Sequence, residues 1–210
     1  MRKILSVKKT KRSSDCFVNF EHDESIVISM DLVLKYNLVK GRDIDDCEFD
    51  EIIGEQRKID LRQSAYKYAS YKPRTEKEVR DRLMQKGFSN EEAKEALQFL
   101  EKFELLDDEK YAVDFIKEKL KLKNFGEFRM KMELIKRGIH RDLAEAAVSK
   151  YYPQEDEYEI AKAAAGKKIS QIMRKPEEKR WNSLSGYLQR QGFGWDIIKK
   201  ICDDYLKKDK

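Results

Sequence analysis

EVRDRLMQKGF, residues Glu78 to Phe88, ends in a Lys-Gly-Phe triplet that returns twice along the chain, as Arg137-Gly138-Ile139 and as Gln191-Gly192-Phe193. The three glycines stand 51 and 54 residues apart, a period that suits a unit of three helices. Four residues before each glycine lies a leucine (Leu83, Leu134 and Leu188), and eight before lies Val79, Met130 or Leu184. That spacing is one apolar face of a helix, and glycine is the residue that most readily ends a helix in a left-handed turn. Nine and ten residues after the glycines the chain reads Ala96/Leu97, Ala147/Val148 and Ile201/Cys202, so the likeness extends beyond the triplet. The pattern predicts a mainly α fold, a tandem repeat of three three-helix units that is elongated and curved.

Working outward, the first unit spans 56–106. Helical spacing begins near Ile52, runs through Ile59, Ala65, Tyr68 and Ala69, and stops near Pro73. Thr75 with Glu78, and Ser89 with Glu92, have the spacing of capping boxes and start the second and third helices. The second unit, 107–153, repeats the plan. Asp107 opens a helix carrying Phe115 and Ile116, Gly126 opens the next, and a third runs from about Asp142 to Tyr151. The third unit, 154–210, has a helix from Tyr158 to about Met173, a start at Pro176, and a last helix on Ile197, Ile198, Ile201 and Tyr205.

Residues 1–55 differ in character and read as a small α/β appendage. A basic strand opens it, and Cys16–Phe20 and Ser25–Met30 form a hairpin across a turn at His22, Asp23 and Glu24. Asp31 is the expected cap of a short helix from Leu32 to Tyr36.

Charged residues make up 40% of the 210, apolar residues 40%, and mean hydropathy is −0.82. Ten Phe, ten Tyr and two Trp argue for packed cores rather than disorder, and several small cores suit this charge density better than one deep core. The net charge of +5 is uneven: residues 1–50 carry −1 and the rest +6. No apolar run is long enough for a membrane span, and Cys16, Cys47 and Cys202 form no metal-type pair. The expectation is a cytoplasmic protein with no cofactor and no metal. Glycine-rich phosphate loops, HExxH and nucleophile elbows are absent from the sequence, so no catalytic role is expected.

What recurs chemically is basic charge around the second helices. Arg80 and Lys131 hold equivalent positions relative to the glycine, as do Lys86 and Arg137, with Lys77 one turn before Arg80. Arg74, Lys121, Lys123, Arg174 and Lys175 gather in the loops that enter these helices. Cations beside helix starts suit phosphate contact, because free amide groups converge there. Ordinary solvated helix charges, paired with Glu one turn away, fit the same spacing, and charge alone does not choose. Tyr66, Tyr68, Tyr71, Phe88, Phe103 and Phe115 are candidates for base stacking, but most lie at apolar-stripe spacing and are expected in the core.

RTEKEVRDRLMQKGF (Arg74 to Phe88), LLDDEKYAVDFIKEKL (Leu105 to Leu120) and FGEFRMKMELIKRGI (Phe125 to Ile139) resemble, in order and spacing, the RecX family of bacterial regulators of the recombinase RecA. The likeness covers about residues 60–207, and SMDLVLKYNLVKG resembles the N-terminal extension of the longer, Gram-positive-type members. The resemblance implies a non-catalytic regulator of recombination and DNA repair, and the protein is separately expected to be a monomer. Such a protein lodges in the groove of the RecA–single-stranded DNA filament and mostly inhibits ATP hydrolysis and strand exchange, with duplex DNA a further partner. Arg74, Lys77, Arg80, Lys86, Lys121, Lys123, Arg129, Lys131, Arg137, Arg174 and Arg180 are then the residues expected to face filament and DNA. The third unit departs from the pattern, with Ser185 and Gln191 at the two equivalent basic positions. A direct DNA-binding protein acting without RecA and a helical scaffold for another protein are the alternative readings.

Overall fold

The structure is a computed structural model that describes residues 1–10, 15–21, 25–153 and 156–206; the side chain of Lys123 is outside the description. The chain opens with β1 (Arg2–Lys9), β2 (Asp15–Phe20), β3 (Ile26–Ser29), α1 (Met30–Lys35) and β4 (Asp43–Ile44). The strands form one antiparallel sheet in the order β3-β2-β1-β4, so the expected hairpin is the centre of a larger sheet. Its expected turn at His22, Asp23 and Glu24 lies outside the described residues. Alternation along the strands sends Ile4, Cys16, Val18, Phe20 and Ile28 inward. Ser29, not Asp31, caps α1: its hydroxyl accepts the Leu32 N–H, and Asp31 sits in the first turn, where its charge favours the helix dipole.

α2 (Asp46–Tyr71) starts earlier than the expected onset near Ile52 and runs unbroken through residue 55. Asp45 caps it, and Asp46 and Glu48 lie in its first turn, so the acidic stretch is a helix start. Its apolar residues serve two cores: Phe49, Ile52 and Ile59 pack with the sheet, whereas Leu61, Ala65 and Ala69 pack with the first helical unit. Between them Gln56 is buried, accepting the Ser29 N–H at 2.7 Å and donating to Asp60 at 2.9 Å.

α3 (Glu76–Gln85) and α4 (Asn90–Lys102) complete the first unit. The second comprises α5 (Asp108–Lys123), α6 (Glu127–Lys136) and α7 (Arg141–Tyr151). The third comprises α8 (Glu157–Met173), α9 (Glu177–Gln191) and α10 (Trp195–Leu206). Each unit has its own apolar centre, and the equivalent residues Val79, Met130 and Leu184, with Leu83, Leu134 and Leu188, are at most 1% exposed. Removing such a leucine side chain costs about 2–5 kcal/mol.

The second helices end in the same turn. Phe88, Ile139 and Phe193 donate their N–H to the carbonyls of Leu83, Leu134 and Leu188 at 3.2, 3.2 and 3.3 Å. Gly87, Gly138 and Gly192 sit at φ of 86°, 96° and 90°. This is the left-handed helix stop that the triplet predicts.

Two of these turns are also sockets. The start of α3 lies on the Gly138 turn, where Thr75 Oγ1 donates to the Arg137 carbonyl at 2.7 Å. The start of α6 lies on the Gly192 turn, where Gly126 N–H donates to the Gln191 carbonyl at 2.9 Å and Phe128 N–H to Gly192 at 3.3 Å. Thr75 and Gly126 stand at equivalent positions, twelve residues before their own glycines. Thus α9, α6 and α3 lie end to end, each positive N-terminus on the negative C-terminus of the next unit's helix, which is electrostatically favourable.

The contact leaves no room for a side chain. A Cβ on Gly138 would stand 2.2 Å from Lys77 Cβ, one on Gly192 2.3 Å from Arg129 N, and one on Gly126 2.5 Å from the Gly192 carbonyl; Gly87 has open space around it. Gly87→Ala is therefore expected to cost only the left-handed backbone strain, about 1 kcal/mol, and Gly192→Ala about 3 kcal/mol or more, because fixed backbone must also move. Urea denaturation of the two variants measures the difference; equal losses would contradict the socket.

Candidate nucleic-acid interface

At the first joint, the carboxylate of Asp108, the first residue of α5, accepts the Glu76 N–H at 3.1 Å and so caps a helix of the preceding unit. The second joint repeats the device: Glu157, the first residue of α8, accepts the Glu127 N–H. Burial, reinforced by the nearby Glu76 or Glu127 charge, raises the pKa of both carboxyls despite these hydrogen bonds.

The basic residues divide by their place relative to the joints. Arg74 and Arg137 both reach Glu78, at 3.8 and 3.5 Å. Arg74 lies 4.2 Å over the Tyr68 ring; Arg137 lies 5.0 Å over Phe115 and donates to the Tyr111 hydroxyl at 2.8 Å. This cluster ties the first unit to the second. It also occupies the Glu78 carboxylate, so Thr75 accepts the Glu78 N–H at 3.2 Å but no reciprocal capping bond forms, unlike the complete box of Ser89 and Glu92. Arg129 plays the corresponding part at the second joint, 4.0 Å over Phe125, 3.8 Å from Glu133, and donating to the Arg190 carbonyl and the Gln191 side chain.

Other expected contacts are paired within their own unit. Lys131 bridges to Glu127 at 2.6 Å, Arg180 Nε donates to the Lys175 carbonyl at 2.9 Å, and Lys86 donates to Ser64 at 3.0 Å. Arg80 is half-buried, and its Nε has no hydrogen-bond partner among the described residues. Lys77, Lys121 and Arg174 are exposed, and their side chains make no ion pair or hydrogen bond with another described residue; the stem of Lys77 lies along Gly138. Lys121 and Lys123, expected in a loop, lie instead in the last turn of α5, which runs on to an Asn124 left-handed stop; the side chain of Lys123 is outside the described ones. Equivalent positions therefore differ in role. Arg137 is drawn into a joint because α3 covers its turn, whereas Lys86 stays exposed because no helix start covers Gly87.

Arg57 serves that uncovered turn, donating to the Gly87 carbonyl at 2.8 Å and hydrogen-bonding Glu92. That ion pair and the Ser89 N–H hold the Glu92 carboxyl down at about 2. The Asp204 carboxylate, with no role legible in the sequence, accepts from the Tyr158 hydroxyl, which is pushed up to about 12. The expected core placement of aromatic residues holds for Phe115, which is buried, and for Tyr68 and Phe88, which pack against the first core. Tyr66, Tyr71 and Phe103 are instead exposed by 54, 83 and 61%. Lys67 and Arg82, not singled out in the sequence, flank Tyr71; the signal for Lys67 is its spacing of four residues from that tyrosine.

Three family models match the chain: RecX first three-helix domain over 62–100, second over 107–148 and third over 155–202. A protein named Regulatory protein RecX from Clostridium botulinum is 31% identical over 98% of this chain and 97% of its own length. Another of that name from Clostridium perfringens is 32% identical over 96% of this chain and 95% of its own. A crystal structure of a regulatory protein RecX superposes with a TM-score of 0.68 at 22% identity, covering 97% of this chain and all of the other, a likeness of fold. RecX from Lactobacillus salivarius gives 0.60 at 26% identity over 71% of this chain and 96% of the other. No helix among the described residues is long and apolar enough to cross a membrane.

The raised Asp108 pKa means that the folded chain holds this proton more tightly than the unfolded one, so its charge subtracts from stability as pH rises through the carboxylate range. Asp108→Asn, which keeps the acceptor and drops the charge, should be at least as stable as the parent at neutral pH, with the advantage vanishing in acid. Asp108→Ala should be about 1 kcal/mol less stable than Asp108→Asn, for want of the cap. Urea titrations at neutral and acid pH test both orders.

Proposed function

This chain belongs to the RecX family, and from that premise we propose that it is a non-catalytic, monomeric cytoplasmic regulator that binds the RecA–single-stranded DNA filament and restrains its ATPase and strand exchange. The observation that carries the reading is the end-to-end line of α3, α6 and α9. It fixes cations of three units on one body, so weak contacts to a repeating polyanion add within a single binding event. Lys77, Lys86, Lys121 and Arg174 are among the exposed cations of the line and of the segments entering it, and they are assigned the phosphate contacts. Arg129 and Arg137 hold joints with side chains still 31% and 37% exposed, so they support the body and add charge at its surface.

Inhibition follows from mechanics. A body spanning adjacent protomers opposes their relative movement during ATP turnover, and its affinity sets how strongly it does so. No step requires a nucleophile or a general base.

Two measurements test this. Stoichiometric addition of the protein should depress the DNA-dependent ATPase of RecA; an unchanged rate at full filament coverage rejects the proposal. Lys77→Glu, Lys121→Glu and Arg174→Glu combined should raise the concentration needed for half-inhibition. The same triple variant should flatten the log affinity against log salt slope by about 2, near 0.7 per single-strand phosphate contact. Full-strength, RecA-independent action on bare DNA would favour a direct DNA-binding protein instead.

A further inference from the structure

Between α2 and α3 of the first unit lies an open groove of about 320 Å³, lined by Ser64, Lys67, Tyr68, Tyr71, Arg82 and Lys86. The four α2 residues stand at i, i+3, i+4 and i+7, so they share one helix face turned towards α3. Every charged residue of the lining is cationic. Lys86 Nζ on Ser64 Oγ, at 3.0 Å, ties the two walls together, and Arg82 stands 6.0 Å over the Tyr68 ring. Against this ordered wall Tyr71 is 83% exposed, a large flat ring left in water beside three cations.

We propose that this groove seats one nucleotide of single-stranded DNA, with its base stacked on Tyr71 and its phosphates on Lys67, Arg82 and Lys86. A pocket of this size matches a nucleotide, and a ring next to cations answers both halves of that ligand. Duplex DNA would satisfy the cations but keep its bases inside the stack, and an acidic peptide would leave the ring unused. Stacking of this kind tolerates any base, because each has a π face, so the site grips without reading sequence. The inference shares with the proposed function only the premise that single-stranded DNA is a ligand.

The test is fluorescence anisotropy of a short labelled oligothymidylate with the full chain. Tyr71→Ala should weaken binding about tenfold, while Tyr71→Trp retains it. Tyr66→Ala, a 54% exposed tyrosine on the same helix outside the groove, should bind as the parent does. An oligomer of equal length built from abasic spacers should bind more weakly and be indifferent to Tyr71→Ala. A 5-iodouracil strand should photocrosslink within the groove. No binding by the parent chain, equal losses at Tyr66 and Tyr71, undiminished binding of the abasic strand, or crosslinks only elsewhere would each overturn the site. The RecA ATPase is read separately: inhibition without Tyr71-dependent binding sinks this inference and spares the family reading. Tyr71-dependent binding without inhibition does the reverse.

Discussion

A helix N-terminus resting on a glycine turn of the following unit is the contact on which the arrangement of this chain depends. At the Gly138 and Gly192 turns the approach is so close that any Cβ would overlap a neighbour. The geometry satisfies several needs at once. The last carbonyls of one helix receive donors from the start of another, two macrodipoles align head to tail, and a carboxylate from the next unit caps what is left. Glycine at Gly87 answers only the first of the triplet's demands, a left-handed turn, since no helix start packs on it and a Cβ there would meet open space. One sequence signal thus covers two physical constraints of different weight.

Charge in the joints is organised differently from charge on the surface. Glu78 between two guanidinium groups, with several polar atoms buried and lacking hydrogen bonds among the described residues, is not an economical way to gain stability. Its value is geometric. A planar guanidinium can lie on an aromatic ring and still hydrogen-bond or pair at its edge, which an ammonium does poorly, so Arg129 and Arg137 each hold a ring of their own unit while reaching across a joint. The exposed lysines carry no such duty and are available for a ligand.

Much of the helical architecture is legible in the chain because it is local. Leucine and glycine spacing, the Ser89 capping box and the starts at Asp107 and Gly126 all act within a few residues of one another. What escapes is what depends on distant partners. The onset of α2 is hidden because its two halves turn apolar faces to different cores, so no single period persists along it. The end of α4 makes the same left-handed stop as the glycine turns but uses Glu104, φ 55°, and carries no compositional signal. The cations of the candidate interface were visible as a set, but their division into joint and surface residues was not. Arg137 meets Glu78 from 59 positions away, and nothing near either residue announces it. The exposure of Tyr71 has the same origin, because only the placement of α3 decides which side of α2 is covered.

The claim that everything rests on is that the joints hold the three units as one body. Spin labels on Lys94 of the first unit and Lys199 of the third, both exposed, with the exposed Cys47 replaced by serine, report on it through pulsed dipolar spectroscopy. A single narrow distance distribution that broadens on Gly192→Ala is the result expected of interlocked units. A broad distribution in the parent chain, unchanged by that substitution, would show units tethered like beads and would contradict the account.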